Sequence, residues 1–127
     1  MPITLATLET ATAQEVFNQV ATHLLTQNET SQVYIEGHPR CLYRHTKEDG
    51  TLLKCAAGCL MSDEESTKFS ASDSWPLLVY KGKVALAHSP LIFTLQNIHD
   101  VCAPKDWMYE LSKVALDNNF TTEVLSA

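Results

Sequence analysis

Apolar residues recur at helical spacing near both ends of the chain, and a β-like stretch lies between. Val16, Phe17, Val20 and Leu24, with Ala13 and Ala21 beside them, fall on one side of a 3.6-residue repeat. Thr12 and Glu15 precede that stripe as a capping box, in which a hydroxyl takes one free amide and a carboxylate reaches back to another. The pattern predicts a helix to about Gln27, stopped by the polar run Asn28 to Ser31. A second stripe, Leu91, Ile92, Leu95, Ile98 and Cys102, is opened by Ser89-Pro90 and closed by Pro104. A third, Trp107, Leu111, Val114 and Ala115, ends at Asn118-Asn119. Two shorter helices are predicted from the Ser62/Glu65 capping box and from Ser74-Trp75-Pro76 to Lys81-Gly82.

Residues 32 to 58 read as β. Gln32 to Glu36 is β-branched and aromatic, Gly37 to Pro39 breaks it, and Cys41 to His45 resumes an extended pattern. His45 to Gly50 reads as a hairpin loop, with Thr51 to Ala56 as the returning strand. That register sets Cys41 near Cys55 and Tyr43 near Leu53. The expectation is one α+β domain over residues 1–127, a short antiparallel sheet or hairpin packed by about four helices. Residues 1–11 form a loosely held N-terminal arm and residues 120–127 a C-terminal tail.

Charge narrows the partners. Nine Lys and Arg against fifteen Asp and Glu give a net charge of −6, which repels phosphate backbones. General nucleic-acid binding is disfavoured, while a basic protein partner or a small anionic ligand stays open. No run approaches the ~18 apolar residues that span a bilayer, and the N-terminus has no basic-then-apolar leader, so the expected setting is the cytoplasm, without membrane contact. There the four cysteines are expected as reduced thiols.

Three groupings carry candidate chemistry. Arg40, Tyr43 and Arg44 place guanidinium groups beside an aromatic ring on a strand, a set suited to a small anion or to a structural salt bridge. Cys55-x3-Cys59, with Cys41 upstream and His45 or His38 nearby, offers thiolate and imidazole ligands for zinc. The loose spacing favours packing thiols over metal. Cys59 after Gly58 could act as a nucleophile with His88, or with His99 and Asp100, as base and orienter. Consecutive residues on a helix point about 100° apart, which argues against a His99–Asp100 relay. Asp63, Glu64 and Glu65 suit the positive end of a helix dipole better than a metal. The usual phosphate-loop, dinucleotide, zincin and hydrolase motifs are missing from the sequence. Trp75, Trp107 and Tyr109 are either partner anchors or core caps.

The order Thr12-x-x-Glu15-x-Phe17, Cys41-Leu42-Tyr43-Arg44, Lys54-Cys55-Ala56-Ala57-Gly58-Cys59-Leu60-Met61-x-Asp63-Glu64-Glu65, Trp75, Leu91-Ile92-x-x-Leu95-Gln96-x-Ile98-His99-Asp100 and Trp107 resembles a family of short uncharacterised tailed-bacteriophage and prophage proteins. Met61-Ser62 stands where that pattern has Ile-Pro or a similar pair, and Ser66 where an aromatic is common. The resemblance implies a phage accessory protein of the bacterial host cytoplasm; with no catalytic set in the sequence, the preferred reading is a non-catalytic protein that binds a host component as a counter-defence inhibitor or holds a small anionic ligand. A cysteine- or zinc-dependent enzyme and a virion-associated protein are the alternatives, and a homodimer stays open.

Overall fold

The structure, a computed structural model, describes residues 2–70 and 72–125. Among these described residues, five α-helices and two separate antiparallel hairpins make an α+β fold. Helix α1, Ala13–Gln27, begins at the expected box: Thr12 Oγ1 accepts from Glu15 N–H, and the Glu15 carboxylate accepts from Thr12 N–H at 2.8 Å. Such a cap is worth about 1 kcal/mol. Its apolar stripe, Val16, Phe17, Val20, Ala21 and Leu24, is fully buried.

Strands β1, Gln32–Ile35, and β2, His38–Cys41, pair through the two-residue turn Glu36-Gly37. Both turn residues have positive φ, 53° and 82°, which matches a tight hairpin and suits glycine at the second position. Pro39 therefore sits inside a strand rather than breaking one, tolerated because a two-stranded ribbon has only edge positions. Strands β3, Arg44–Thr46, and β4, Leu52–Lys54, form the second hairpin, with His45 opposite Leu53 and Arg44 opposite Lys54. The expected register is thus off by two residues: continued along the ladder, Tyr43 falls beside Cys55 rather than Leu53. A slip of two preserves the buried face, so Tyr43, Leu53 and Cys55 are all buried.

Helices α2, Asp63–Ser66, α3, Trp75–Tyr80, α4, Ser89–Val101, and α5, Trp107–Asp117, complete the domain. The second capping box is formed, with Ser62 and Glu65 reciprocally bonded. Trp75 and Trp107 are core residues, and Trp107 Nε1–H donates to the Ile98 and Cys102 carbonyls that end α4. Tyr109, in contrast, is 66 % exposed. Among the described residues no helix is long and apolar enough to cross a membrane.

The arm is held more firmly than its composition suggests. Leu8 is fully buried in a 3-10 turn, Leu8–Thr10, and Ile3 and Leu5 pack against the core. The Glu65 carboxylate accepts from the Leu5 and Ala6 amides, at 3.0 and 3.2 Å. At the other end Phe120 meets Phe17 with ring centroids 5.1 Å apart, and Leu125 is buried. The expected arm and tail extend to Met1, Ser126 and Ala127, which lie outside the described residues.

Candidate functional site

The sequence candidates converge in part around α4. His99 is completely buried and stacks on Trp107 with ring centroids 5.7 Å apart. Its Nε2 accepts from the Ser31 backbone N–H at 2.9 Å. That nitrogen therefore carries a lone pair, and Nδ1 carries the hydrogen, which it donates to Asp100 Oδ1 at 2.7 Å. The expectation that neighbouring helix residues could not form such a pair is corrected here: the short Asp100 side chain turns back to its neighbour's ring.

Asp100 is the node of a larger network. The same Oδ1 accepts from Gln96 Nε2 at 2.7 Å, and the Cys41 Sγ lies within 4.8 Å of this carboxylate. Gln96 Oε1 in turn accepts from Ala57 N–H at 2.8 Å. Helix α4 is thereby tied to the start of β1 and to the Lys54–Leu60 segment, and it faces the end of β2. Sequence reasoning missed Ser31 and Gln96. A glutamine one turn before the His-Asp pair, on the same helix face, was the available signal.

Ligand atoms of Cys41, His99 and Asp100 lie within 4.8 Å of one another, a spacing a metal ion could use. The hydrogen-bond pattern opposes that use. A metal on Nδ1 would move the ring hydrogen to Nε2, where it would face the Ser31 N–H donor. The zinc set expected from the sequence, Cys41, Cys55, Cys59 and His45, does not bring three ligand atoms together at all. Cys59 donates to the Ala56 carbonyl at 3.1 Å, and His45 pairs with Leu53 across the hairpin.

The thiols are poorly disposed to attack. Burial pushes both Cys41 and Cys55 up to about 12, with the Asp100 carboxylate adding to the effect, and burial raises Cys59 as well. A thiol so raised stays protonated at neutral pH and is a weak nucleophile. Neither candidate base serves Cys59: His88 Nε2 bonds the Ala11 carbonyl at 2.7 Å, and both nitrogens of His99 are engaged.

Arg40 and Tyr43 do share a pocket. It has a volume of about 290 Å³ and lies between β2, the start of α3 and one face of α4. Tyr43, Trp75 and Phe93 supply aromatic surface; Arg40, Asn97 and Asp100 supply polar groups. Trp75 is 2 % exposed, and its indole N–H is a buried donor with no acceptor among the described residues. The Arg40 guanidinium is exposed, and among the described residues it donates to the Pro39 carbonyl alone. Arg44 is separated from this pair, since its Nε lies 3.6 Å from Asp63, which also takes the Lys54 ammonium at 3.2 Å. The expected trio is therefore two residues of one pocket and one residue of a surface ion cluster. Comparison of the chain with known protein families, with curated proteins and with solved structures finds no match.

Proposed function

We propose that the protein is a non-catalytic binding protein, a phage accessory protein of the class its sequence resembles, and that it takes a small host-derived ligand in the pocket between β2, α3 and α4. One observation carries this reading: polar binding groups converge on the pocket beside an imidazole whose two nitrogens are both engaged and thiols held in their neutral form. Such a site has what is needed to hold a ligand and no free imidazole or thiolate to turn one over.

The wall chemistry suggests the ligand. Aromatic rings of Tyr43, Trp75 and Phe93, with Pro39 and Pro76 beside them, favour a flat ring. The Asn97 amide and the Asp100 carboxylate can read polar groups on its edge. Asp73 and Asp100 repel an anion elsewhere on the wall, so an anionic substituent belongs beside Arg40. A nucleoside monophosphate or cyclic nucleotide satisfies all of these terms.

Isothermal calorimetry with a panel of nucleoside monophosphates and cyclic nucleotides tests this. At least one member should bind, and Arg40→Ala should weaken it about tenfold or more, the value of a charge-assisted contact. Binding that is indifferent to Arg40→Ala and Asn97→Ala, or no binding across the panel, overturns the reading. So does turnover of a bound nucleotide.

A further inference from the structure

The polar groups on the wall of the pocket between β2, α3 and α4 divide into those the fold consumes and those it leaves for a ligand. The Tyr43 hydroxyl donates to the Asp73 carbonyl. The Asp73 carboxylate accepts from the Ser70 N–H at 2.9 Å and from the Ser70 hydroxyl at 3.3 Å, so it is turned into its own loop. Gln96 is used at both ends, by Ala57 N–H and by Asp100.

Two unlike groups remain beside the aromatic rings. The first is the indole N–H of Trp75, a residue only 2 % exposed, which has no acceptor among the described residues. An unpaired buried donor is costly, and Trp107 shows the usual remedy, since its own N–H reaches two carbonyls. The second is Oδ2 of Asp100. Its sister Oδ1 accepts from His99 Nδ1–H and from Gln96 Nε2, both at 2.7 Å, which fills that oxygen's lone pairs and orients the carboxylate. Oδ2 accepts from no N–H or O–H among the described residues, and the Cys41 thiol beside the carboxylate is a weak donor that a ligand N–H displaces.

A ligand seated here has to bring donors to a carboxylate oxygen and an acceptor to an indole N–H. The common bases differ in this respect. An ionised carboxylate only accepts. Guanine turns two adjacent donors toward it, the ring N1–H and the exocyclic amino group, close enough together to share one oxygen, and keeps O6 and N7 as acceptors. Adenine and cytosine each set a ring-nitrogen lone pair beside their amino group, and uracil flanks its single N–H with two carbonyls. Each of these three brings a lone pair against the carboxylate.

We infer that the pocket is selective for guanine, with Asp100 Oδ2 accepting from N1–H and the amino group and the Trp75 indole N–H donating to an acceptor of the same base. The inference names the base within the nucleotide reading above and rests on that reading. His99 and Gln96 are positioning residues, since by holding Oδ1 they aim Oδ2. Tyr43 and Phe93 supply ring surface against the base, and Trp75 supplies an edge.

Calorimetry of the full chain with guanine, adenine, cytosine and uracil nucleotides, as monophosphates and as cyclic monophosphates, reads the selectivity. The guanine nucleotide should bind at least about tenfold tighter than the other three. The hypoxanthine nucleotide, which keeps N1–H but lacks the amino group, should bind about three- to tenfold more weakly than guanine. Asp100→Asn keeps a carbonyl for His99 and Gln96 but turns an amide N–H toward the two donors. It should weaken the guanine nucleotide about tenfold or more and the adenine nucleotide by less than about threefold, a split that a merely structural role does not produce. In nitrogen–proton correlation spectra the Trp75 indole N–H should move downfield on saturation, while that of Trp107, already bonded twice, stays in place as an internal control. If Asp100→Asn fails to fold, the hypoxanthine comparison and the Trp75 resonance decide on the natural chain. Equal binding of the bases, hypoxanthine binding as tightly as guanine, equal losses in Asp100→Asn, or an unmoved Trp75 resonance overturns the inference and leaves the nucleotide reading standing. No binding by any nucleotide overturns both.

Discussion

Gly58 shows how one missing atom sets the fold. A Cβ at this position would run into the Tyr43 carbonyl oxygen, main chain against main chain, with no flexible side chain able to yield. The glycine in the Lys54–Leu60 segment is thus a packing requirement between that segment and Tyr43, in the link between β2 and β3. Gly58→Ala should lower unfolding free energy by about 1–3 kcal/mol in urea denaturation, the cost of forcing backbone apart in a filled core. The thiols make a second residue-scale case. With Cys41 and Cys55 pushed up to about 12, the thiolate fraction at pH 8 is small. Alkylation of the folded protein by iodoacetamide at pH 8 should leave both at least about tenfold slower than a free cysteine, and full reactivity should return in denaturant.

At the scale of elements, the Glu65 carboxylate joins the arm to α2. Its partial burial opposes ionisation, yet the amides of Ser62, Leu5 and Ala6 prevail and hold its pKa below the usual 4.5. A carboxyl lowered on folding stabilises the native state above the unfolded value, and that contribution is lost as pH falls through the lower folded value. Glu65→Gln should cost about 1–2 kcal/mol at pH 7 and flatten the loss of stability between pH 5 and 3 in thermal melts. The capping boxes and apolar stripes of α1, α4 and α5 were legible in the sequence because they are local, set by residues three or four apart. The register of β3–β4 was not, since a slip of two keeps every side chain on its face and the loop could close at either length. The anchored arm was invisible for another reason: its bonds come from Glu65 and Gln19, distant in sequence and ordinary in kind. Of the candidate site, Arg40, Tyr43, Cys41, His99 and Asp100 could be singled out from the sequence, but their grouping depended on Ser31 and Gln96, whose roles arise only when β1 and the 55–60 segment meet α4.

For the whole molecule, the charge is −6, and four of the nine Lys and Arg are held in ion pairs: Lys47 with Glu29, Arg44 and Lys54 with Asp63, Lys113 with Glu110. With fifteen carboxylates against nine cations, little net positive field gathers phosphates. No shift of duplex DNA or RNA is expected in gel retardation even at 50 mM salt, where counterion release would favour a genuine binder most. Among the described residues the two hairpins, finally, do not join into one sheet; α1 instead grips main chain with two amides, Gln19 at Ile3 in the arm and Gln27 at Lys54 in β4. Main chain is common to every residue type except proline, so the grip at Ile3 and Lys54 survives a change of side chain there, whereas at Gln19 and Gln27 the side chain must both donate and accept at that length. In a saturation-mutagenesis survey Gln19 and Gln27, two polar positions on a partly exposed helix face, should therefore be less tolerant than their setting suggests, while Lys54 should lose only its ion pair with Asp63.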